Sequence, residues 1–290
     1  MVGKNCRRQV VDDPRQGSLI RMQGKPLCEP DTPMGAQAPI GVFDSGVGGL
    51  SVLRHLRAHL PQEDFLYFAD SAHAPYGGKP EALVVERTLA IARLLLERGA
   101  KALVVACNTA TAASIEALRQ RYPALPVVGV EPGLKPAVAA SKSGIIGVLA
   151  TETTLASSKF QRLRQQLEAD SGARFIVQAC HGLADQVEKG ELHTPATASL
   201  LQAYIAPLLA QGADTLVLGC THYPFVQPLI EELVPAGTRL IDTGAAVALQ
   251  MGRLLTRDGL QGKGSGAVTL LTSGSEGALQ TACALLIKNA

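Results

Sequence analysis

Beyond residue 39, short apolar runs alternate with longer stretches whose apolar residues recur at helical spacing. The runs cover 40–43, 65–68, 102–106, 127–130, 145–149, 175–178, 215–219, 239–241 and 268–272, and the intervening stretches include 81–98 and 197–211. Strands that are apolar at nearly every position are buried on both faces, and strands alternating with helices make parallel sheets covered by helices. The pattern predicts an α/β protein with mostly parallel sheets. Residues 1–38 carry no such period; they are rich in Gly, Pro and charge and end in Pro30-Asp31-Thr32-Pro33-Met34-Gly35. They read as a poorly ordered extension, or a vector-derived remnant, ahead of the fold.

The pattern also repeats. Arg98-Gly99-Ala100-Lys101-Ala102-Leu103-Val104-Val105-Ala106-Cys107-Asn108-Thr109 parallels Gln211-Gly212-Ala213-Asp214-Thr215-Leu216-Val217-Leu218-Gly219-Cys220-Thr221-His222, with the two cysteines 113 residues apart. A fainter echo links Ile40-Gly41-Val42-Phe43-Asp44-Ser45 with Ile146-Gly147-Val148-Leu149-Ala150-Thr151. Such a separation exceeds a solenoid repeat and suits duplicated small domains. The expectation is two similar α/β domains related by a pseudo-twofold, one from 39–131 plus 241–290 and one from 132–240. A cleft between them would hold the active site and bring the matching strand ends face to face.

Composition narrows the function. The chain is 47% hydrophobic with a net charge of +2, and residues 1–38, with six basic and four acidic side chains, account for all of that charge. A neutral body with no Trp and 4% aromatics offers no footprint for nucleic acid or acidic membrane and no platform for stacking bases. No stretch reaches the roughly 18 apolar residues that span a bilayer, and no secretory signal is visible. Cys6, Cys28, Cys107, Cys180, Cys220 and Cys283 are scattered without a CxxC pair, which speaks against a disulfide framework or a zinc site. A cytoplasmic protein without a metal is expected, with Cys180 and Cys283 as buried apolar side chains. A homo-oligomer is left open.

Ligands of open α/β sheets bind beyond the carboxyl ends of strands, where Cys107 and Cys220 both sit. A helix is expected to follow each, with Thr109 and Thr221 as N-caps and the helix terminus favouring the thiolate. Asn108, Thr109 and Thr111 crowd the first thiol, and Thr221 and His222 the second. His222 is either a structural imidazole or a proton relay to Cys220. Asp44 precedes Ser45-Gly46-Val47-Gly48-Gly49; it either caps a tight turn or points a carboxylate at the thiols. The glycine spacing is not GxGxxG and no Walker lysine follows. Pro75-Tyr76-Gly77-Gly78 is a plain turn or a loop offering N–H groups to a substrate carboxylate. No lysine suits pyridoxal phosphate and no histidine partners Ser45, so no cofactor and no hydrolase triad is expected.

Four motifs occur in order: Val42-Phe43-Asp44-Ser45-Gly46-Val47-Gly48-Gly49-Leu50, Pro75-Tyr76-Gly77, Ala106-Cys107-Asn108-Thr109-Ala110 and Gly219-Cys220-Thr221-His222-Tyr223-Pro224. Through them residues 39–290 resemble bacterial glutamate racemase, within the aspartate/glutamate racemase superfamily. The resemblance implies a cofactor-independent racemase of glutamate whose D-glutamate enters peptidoglycan. It implies that Cys107 deprotonates D-glutamate and Cys220 L-glutamate, helped by Asp44, His222 and a glutamate assigned to Glu188, with Glu191 nearby. It places substrate contacts on Asp44, Ser45, Tyr76, Gly77, Asn108, Thr109, Thr221 and His222. An N-terminal extension resembles the subgroup activated by the nucleotide sugar UDP-N-acetylmuramoyl-L-alanine. The rivals are an aspartate racemase with the same two thiols, a single-thiol decarboxylase or cis–trans isomerase, against which both thiols argue, and a non-catalytic amino-acid sensor.

Overall fold

The computed structural model describes residues 35–287; the reading of 1–38 falls almost wholly outside the described residues, as do Cys6 and Cys28. In chain order the strands are β1 (Ile40–Asp44), β2 (Phe65–Ala69), β3 (Ala102–Val105), β4 (Val127–Gly129), β5 (Ile145–Ala150), β6 (Arg174–Ala179), β7 (Thr215–Gly219), β8 (Arg239–Ile241) and β9 (Val268–Thr272). Each apolar run has become a strand. The helices are α1 (Leu50–His59), α2 (Glu81–Glu97), α3 (Asn108–Arg121), α4 (Leu134–Ala140), α5 (Glu152–Ala156), α6 (Ser158–Ser171), α7 (Leu183–Glu188), α8 (Pro195–Ala210), α9 (Gln227–Leu233), α10 (Gly244–Arg257) and α11 (Glu276–Ile287).

Local chemistry explains these elements. Every residue of β1, β3 and β7 is buried, as strands covered on both faces require. Along α2 the buried residues are Val84, Thr88, Ile91, Ala92 and Leu95, a single stripe at helical period. The stretch expected at 197–211 starts earlier, because the Thr194 side chain accepts from the Thr197 amide and Pro195 occupies the first turn, where a missing N–H costs nothing.

The two sheets are parallel throughout, with strand orders β4-β3-β1-β2-β9 and β6-β5-β7-β8. With β9 set aside, β4-β3-β1-β2 and β8-β7-β5-β6 are one topology built twice. In each copy the chain leaves the first strand to one side and comes back on the other, so direction reverses between β1 and β3 and between β5 and β7. Crevices form at such reversals, at the carboxyl ends of the strands. Asp44 and Cys107 emerge at the first, Thr151 and Cys220 at the second.

The crossovers between sheets run side by side: a Cβ on Gly133, after β4, would lie 2.9 Å from the Ile241 side chain and 3.0 Å from that of Thr243. After the second crossover α10 packs back on α1, and Leu50, Leu53 and Leu56 share a core with Val247, Met251 and Leu255. Among the described residues no helix is long and apolar enough to cross a membrane.

Candidate active site

Asp44 ends β1 fully buried. Its Oδ2 accepts from the Gly46 amide at 3.1 Å, which closes the turn, while its Oδ1 accepts from Thr221 Oγ1 at 3.4 Å. The two readings of Asp44 therefore hold together: it organises its own turn and faces the other sheet. Tyr67 on β2 donates to the Gly46 carbonyl at 2.9 Å and pins that turn from below. Burial pushes the Asp44 carboxyl pKa up, with Glu188 adding to it and His222 opposing.

Cys107 is the N-cap of α3, with its sulfur accepting from the Ala110 amide at 3.5 Å. Thr109, expected as the cap, lies inside the first turn. The exit from β3 already gives Cys107 the extended backbone that a cap requires, at φ −139° and ψ 122°. The thiol points toward Ser45 Oγ at 3.8 Å. Burial pushes its pKa well up, Asp44 and Cys220 add to the rise, and the Ala110 amide and Ser45 oppose it. The helix terminus does favour the Cys107 thiolate through the Ala110 amide, as expected, but desolvation of the enclosed sulfur outweighs that one N–H group.

Cys220 follows β7, but no α-helix starts on it. A 3-10 turn, Tyr223–Val226, intervenes before α9, and Thr221 is not a cap. Pro224 and Pro228 lie at the starts of these two elements and bring no N–H, which keeps the segment short and irregular. His222 Nδ1 lies 3.5 Å from Cys220 Sγ, and its Nε2 lies 2.7 Å from Glu188 Oε1. Of the two candidate glutamates it is Glu188, on α7, that reaches the imidazole; the Glu191 carbonyl instead accepts from Thr197 Oγ1 at 2.6 Å. Burial alone would lower the His222 pKa, yet Cys220, Glu188 and Asp44 together raise it well above the usual value. Burial likewise works against the Glu188 carboxylate, but His222 and the Val47 amide hold its pKa below the ordinary range.

The loop at Pro75 is anchored rather than free. Tyr76 is buried and its hydroxyl donates to Asp70 Oδ2 at 2.6 Å. Asp70, at the end of β2, also accepts from Arg87 Nη2 at 2.8 Å and from Ser273 Oγ at 2.7 Å. Burial presses the Asp70 pKa upward, and Arg87, Tyr76 and Ser273 overcome it to leave a lowered value. The Gly77 carbonyl accepts from Thr153 Oγ1 at 3.0 Å, and a Cβ there would sit 3.0 Å from Thr151. Thr151 Oγ1 in turn meets Thr109 Oγ1 at 3.1 Å. Asn108 Nδ2 is buried with no hydrogen-bond partner among the described residues.

Sequence reasoning missed Thr151, Asp70 and Ser51. The signal for Thr151 was present, since the faint echo of β1 in β5 matches it to Ser45. Ser51 had none, because its Thr221 partner lies 170 residues away; Asp70 meets Tyr76 and Arg87 6 and 17 residues on, but no motif singled it out. Cys180 is buried near Cys220 with its pKa pushed up to about 12 by burial, and Cys283 is half-buried.

A sequence model of the Asp/Glu/Hydantoin racemase family matches residues 48–251. The glutamate racemase of Ectopseudomonas mendocina is 59% identical over 220 residues, which is 76% of this chain and 83% of that one. The chain belongs to the glutamate racemases. Among solved glutamate racemases, an isoform from Bacillus anthracis superposes with a TM-score of 0.76 at 32% identity, covering 85% of this chain and 92% of that chain. The Escherichia coli glutamate racemase in complex with L-glutamate and the activator UDP-MurNAc-ala gives a TM-score of 0.76 at 33% identity, covering 87% and 95%. In this glutamate racemase chain the fold gathers Asp44, Ser45, Cys107, Glu188, Cys220, Thr221 and His222 into one buried network, flanked by Asn108, Thr109 and the Tyr76-Gly77 loop.

Proposed function

We propose that the chain interconverts L- and D-glutamate without a cofactor, with Cys107 and Cys220 acting on opposite faces of Cα. One thiolate removes the α-proton and the electron pair stays on the substrate as a carbanion. The opposite thiol then gives its own proton to the other face, so each turnover exchanges the roles of the two sulfurs. The reaction needs a proton donor and a proton acceptor at the same moment. The observation that carries the reading is that two thiols at matching strand ends have unlike partners: Cys107 lies between the Ala110 amide and Ser45 Oγ, whereas Cys220 adjoins His222 Nδ1, whose Nε2 meets Glu188. Burial pushes the Cys107 pKa up, and Cys220, Glu188 and Asp44 push the His222 pKa up against burial. A water-poor site makes such charges act strongly on a reacting carbon.

Asp44, His222 and Glu188 assist the thiols, and Ser45, Tyr76, Gly77, Asn108, Thr109, Thr221 and His222 hold the substrate. The orphaned Asn108 Nδ2 supports this, since a buried unpaired donor costs about 1–3 kcal/mol that a carboxylate would relieve. The domains divide as 39–131 plus 241–290 and 132–240, a division supported by the adjoining crossovers at Gly133 and Thr243. The protein acts in the cytoplasm and its D-glutamate enters peptidoglycan.

The test is circular dichroism of L-glutamate, and separately of L-aspartate, incubated with purified protein alone. Decay of the glutamate signal to zero is expected, with aspartate unchanged. Glutamate binding without deuterium exchange at Cα would instead reveal a sensor. An activator like that of the Escherichia coli complex extends the proposal. Full-length protein and a chain beginning at Gln37, each with and without UDP-N-acetylmuramoyl-L-alanine, test it; no response in either ends it.

A further inference from the structure

The partners of the two thiols differ in origin. Cys107 draws both of its hydrogen bonds, from the Ala110 amide and to Ser45 Oγ, from elements of its own sheet. The Cys220–His222–Glu188 relay is bonded within its own half but is braced from the other. Glu188 Oε1, which receives His222 Nε2, also receives the Val47 amide at 2.8 Å from the opposite half. Thr221 donates to Asp44. Ser51, buried in the first turn of α1, stands 2.8 Å from the Gly48 carbonyl and 2.8 Å from the Thr221 carbonyl, between Cys220 and His222. Two glycines let the halves meet this closely. A Cβ on Gly48 would lie 2.5 Å from His222 Nδ1 and 2.7 Å from Thr221 Oγ1, and one on Gly46 would run into the Glu188 carboxylate.

We propose that Ser51 and the Gly46–Gly49 turn are positioning elements that hold the Cys220–His222–Glu188 relay in register from the opposite half when the two halves are closed, while Cys107 takes its hydrogen bonds from its own half. This rests on the two-thiol reading above. Opening the cleft removes the Val47 amide from Glu188, Asp44 from Thr221 and Ser51 from the Thr221 carbonyl, and it leaves Ala110 and Ser45 on Cys107. Proton transfer at Cys220 is thereby tied to closure, so the relay comes into register as water is shut out. A positioning group acts through orientation, and small misplacements of a relay are costly.

Racemisation has an equilibrium constant of one, so kcat/KM must fall equally in both directions and cannot report which wall is damaged. Isotope effects can. In Ser51→Ala, kcat should drop roughly tenfold with little change in KM. The α-deuterium effect should rise with L-glutamate, where Cys220 breaks the C–H bond. It should fall toward one with D-glutamate, where Cys107 breaks it and Cys220 only reprotonates. Ser51→Thr, which keeps the hydroxyl, should restore both. Gly46→Ala, which displaces Glu188 by a different route, should show the same opposite movement and carries the test if Ser51→Ala does not fold. Isotope effects that move together or stay unchanged would overturn the proposal. A wild-type protein that does not racemise glutamate would overturn the two-thiol reading itself.

Discussion

Thr109 and Thr151 stand hydroxyl to hydroxyl at 3.1 Å, although one begins the helix after β3 and the other caps the helix after β5. Together with the Thr153 bond to the Gly77 carbonyl, this contact ties the segments after β2 and β3 to the segment after β5, two residues beyond Cys107. Thr151→Val keeps the shape and removes the link. Loss of one such bond is worth about 1 kcal/mol, so KM for both enantiomers should rise roughly fivefold, and loss of the cap that Thr151 offers to the Thr154 amide should also lower the thermal midpoint by about 2–4 °C. Steady-state kinetics in both directions, with a melting curve, check this.

Removing either sulfur should end racemisation, because one wall cannot both take and return the proton. Cys107→Ala and Cys220→Ala should each lower turnover about a thousandfold or more. Cys107→Ser, with Cys220 intact, should still eliminate halide from the analogue enantiomer whose α-proton faces Cys220. Halide release measured for both enantiomers of β-chloroalanine decides it. Equal release from both would contradict opposed walls.

Glu188→Gln preserves the outline of the side chain and removes its charge. With His222 no longer supported, kcat should fall about a hundredfold. The pH dependence follows from the lowered pKa of Glu188, caused by His222 and the Val47 amide against burial. A depressed carboxyl contributes stability that is present above its unfolded value of 4.5 and is lost as pH falls through the lower folded value. Wild type should therefore lose stability below about pH 4.5 more steeply than Glu188→Gln. Parallel acid titrations followed by circular dichroism would expose any failure of this sign.

Arg87 and Asp70 form an ion pair beneath the Tyr76-Gly77 loop, 2.8 Å apart, with the Asp70 side chain wholly buried and that of Arg87 25% exposed. Arg87→Met would remove the guanidinium and leave that carboxylate with His73, Tyr76 and Ser273 alone, at a cost of about 3 kcal/mol. Adding Asp70→Asn should recover much of the loss, since a buried amide needs no cation. Urea denaturation of the single and double variants measures both effects.

How much of this was legible in the chain follows from where each interaction lies in sequence. The central strands could be read directly, because a strand buried on both faces, as β1, β3 and β7 are, must be apolar at nearly every position; the partly exposed edge strands β6, β8 and β9 showed as shorter or less uniform runs. The duplication could be read too, and with it the equivalence of Cys107 and Cys220, since matched strand ends in a repeated fold carry matched residues. Helix caps were less readable: Thr109 was favoured by type, but the extended exit from β3 put Cys107 in the cap, and Pro224 with Pro228 denied Thr221 a helix altogether. What tertiary structure alone decided is the chemical difference between the two thiols. Desolvation at Cys107 is set by everything packed around it, and the Cys220 relay joins Glu188, Val47, Ser51 and Asp44 across separations of 141 to 177 residues. Local pattern carries propensity and periodicity; burial and long-range charge exist only once the two sheets have met.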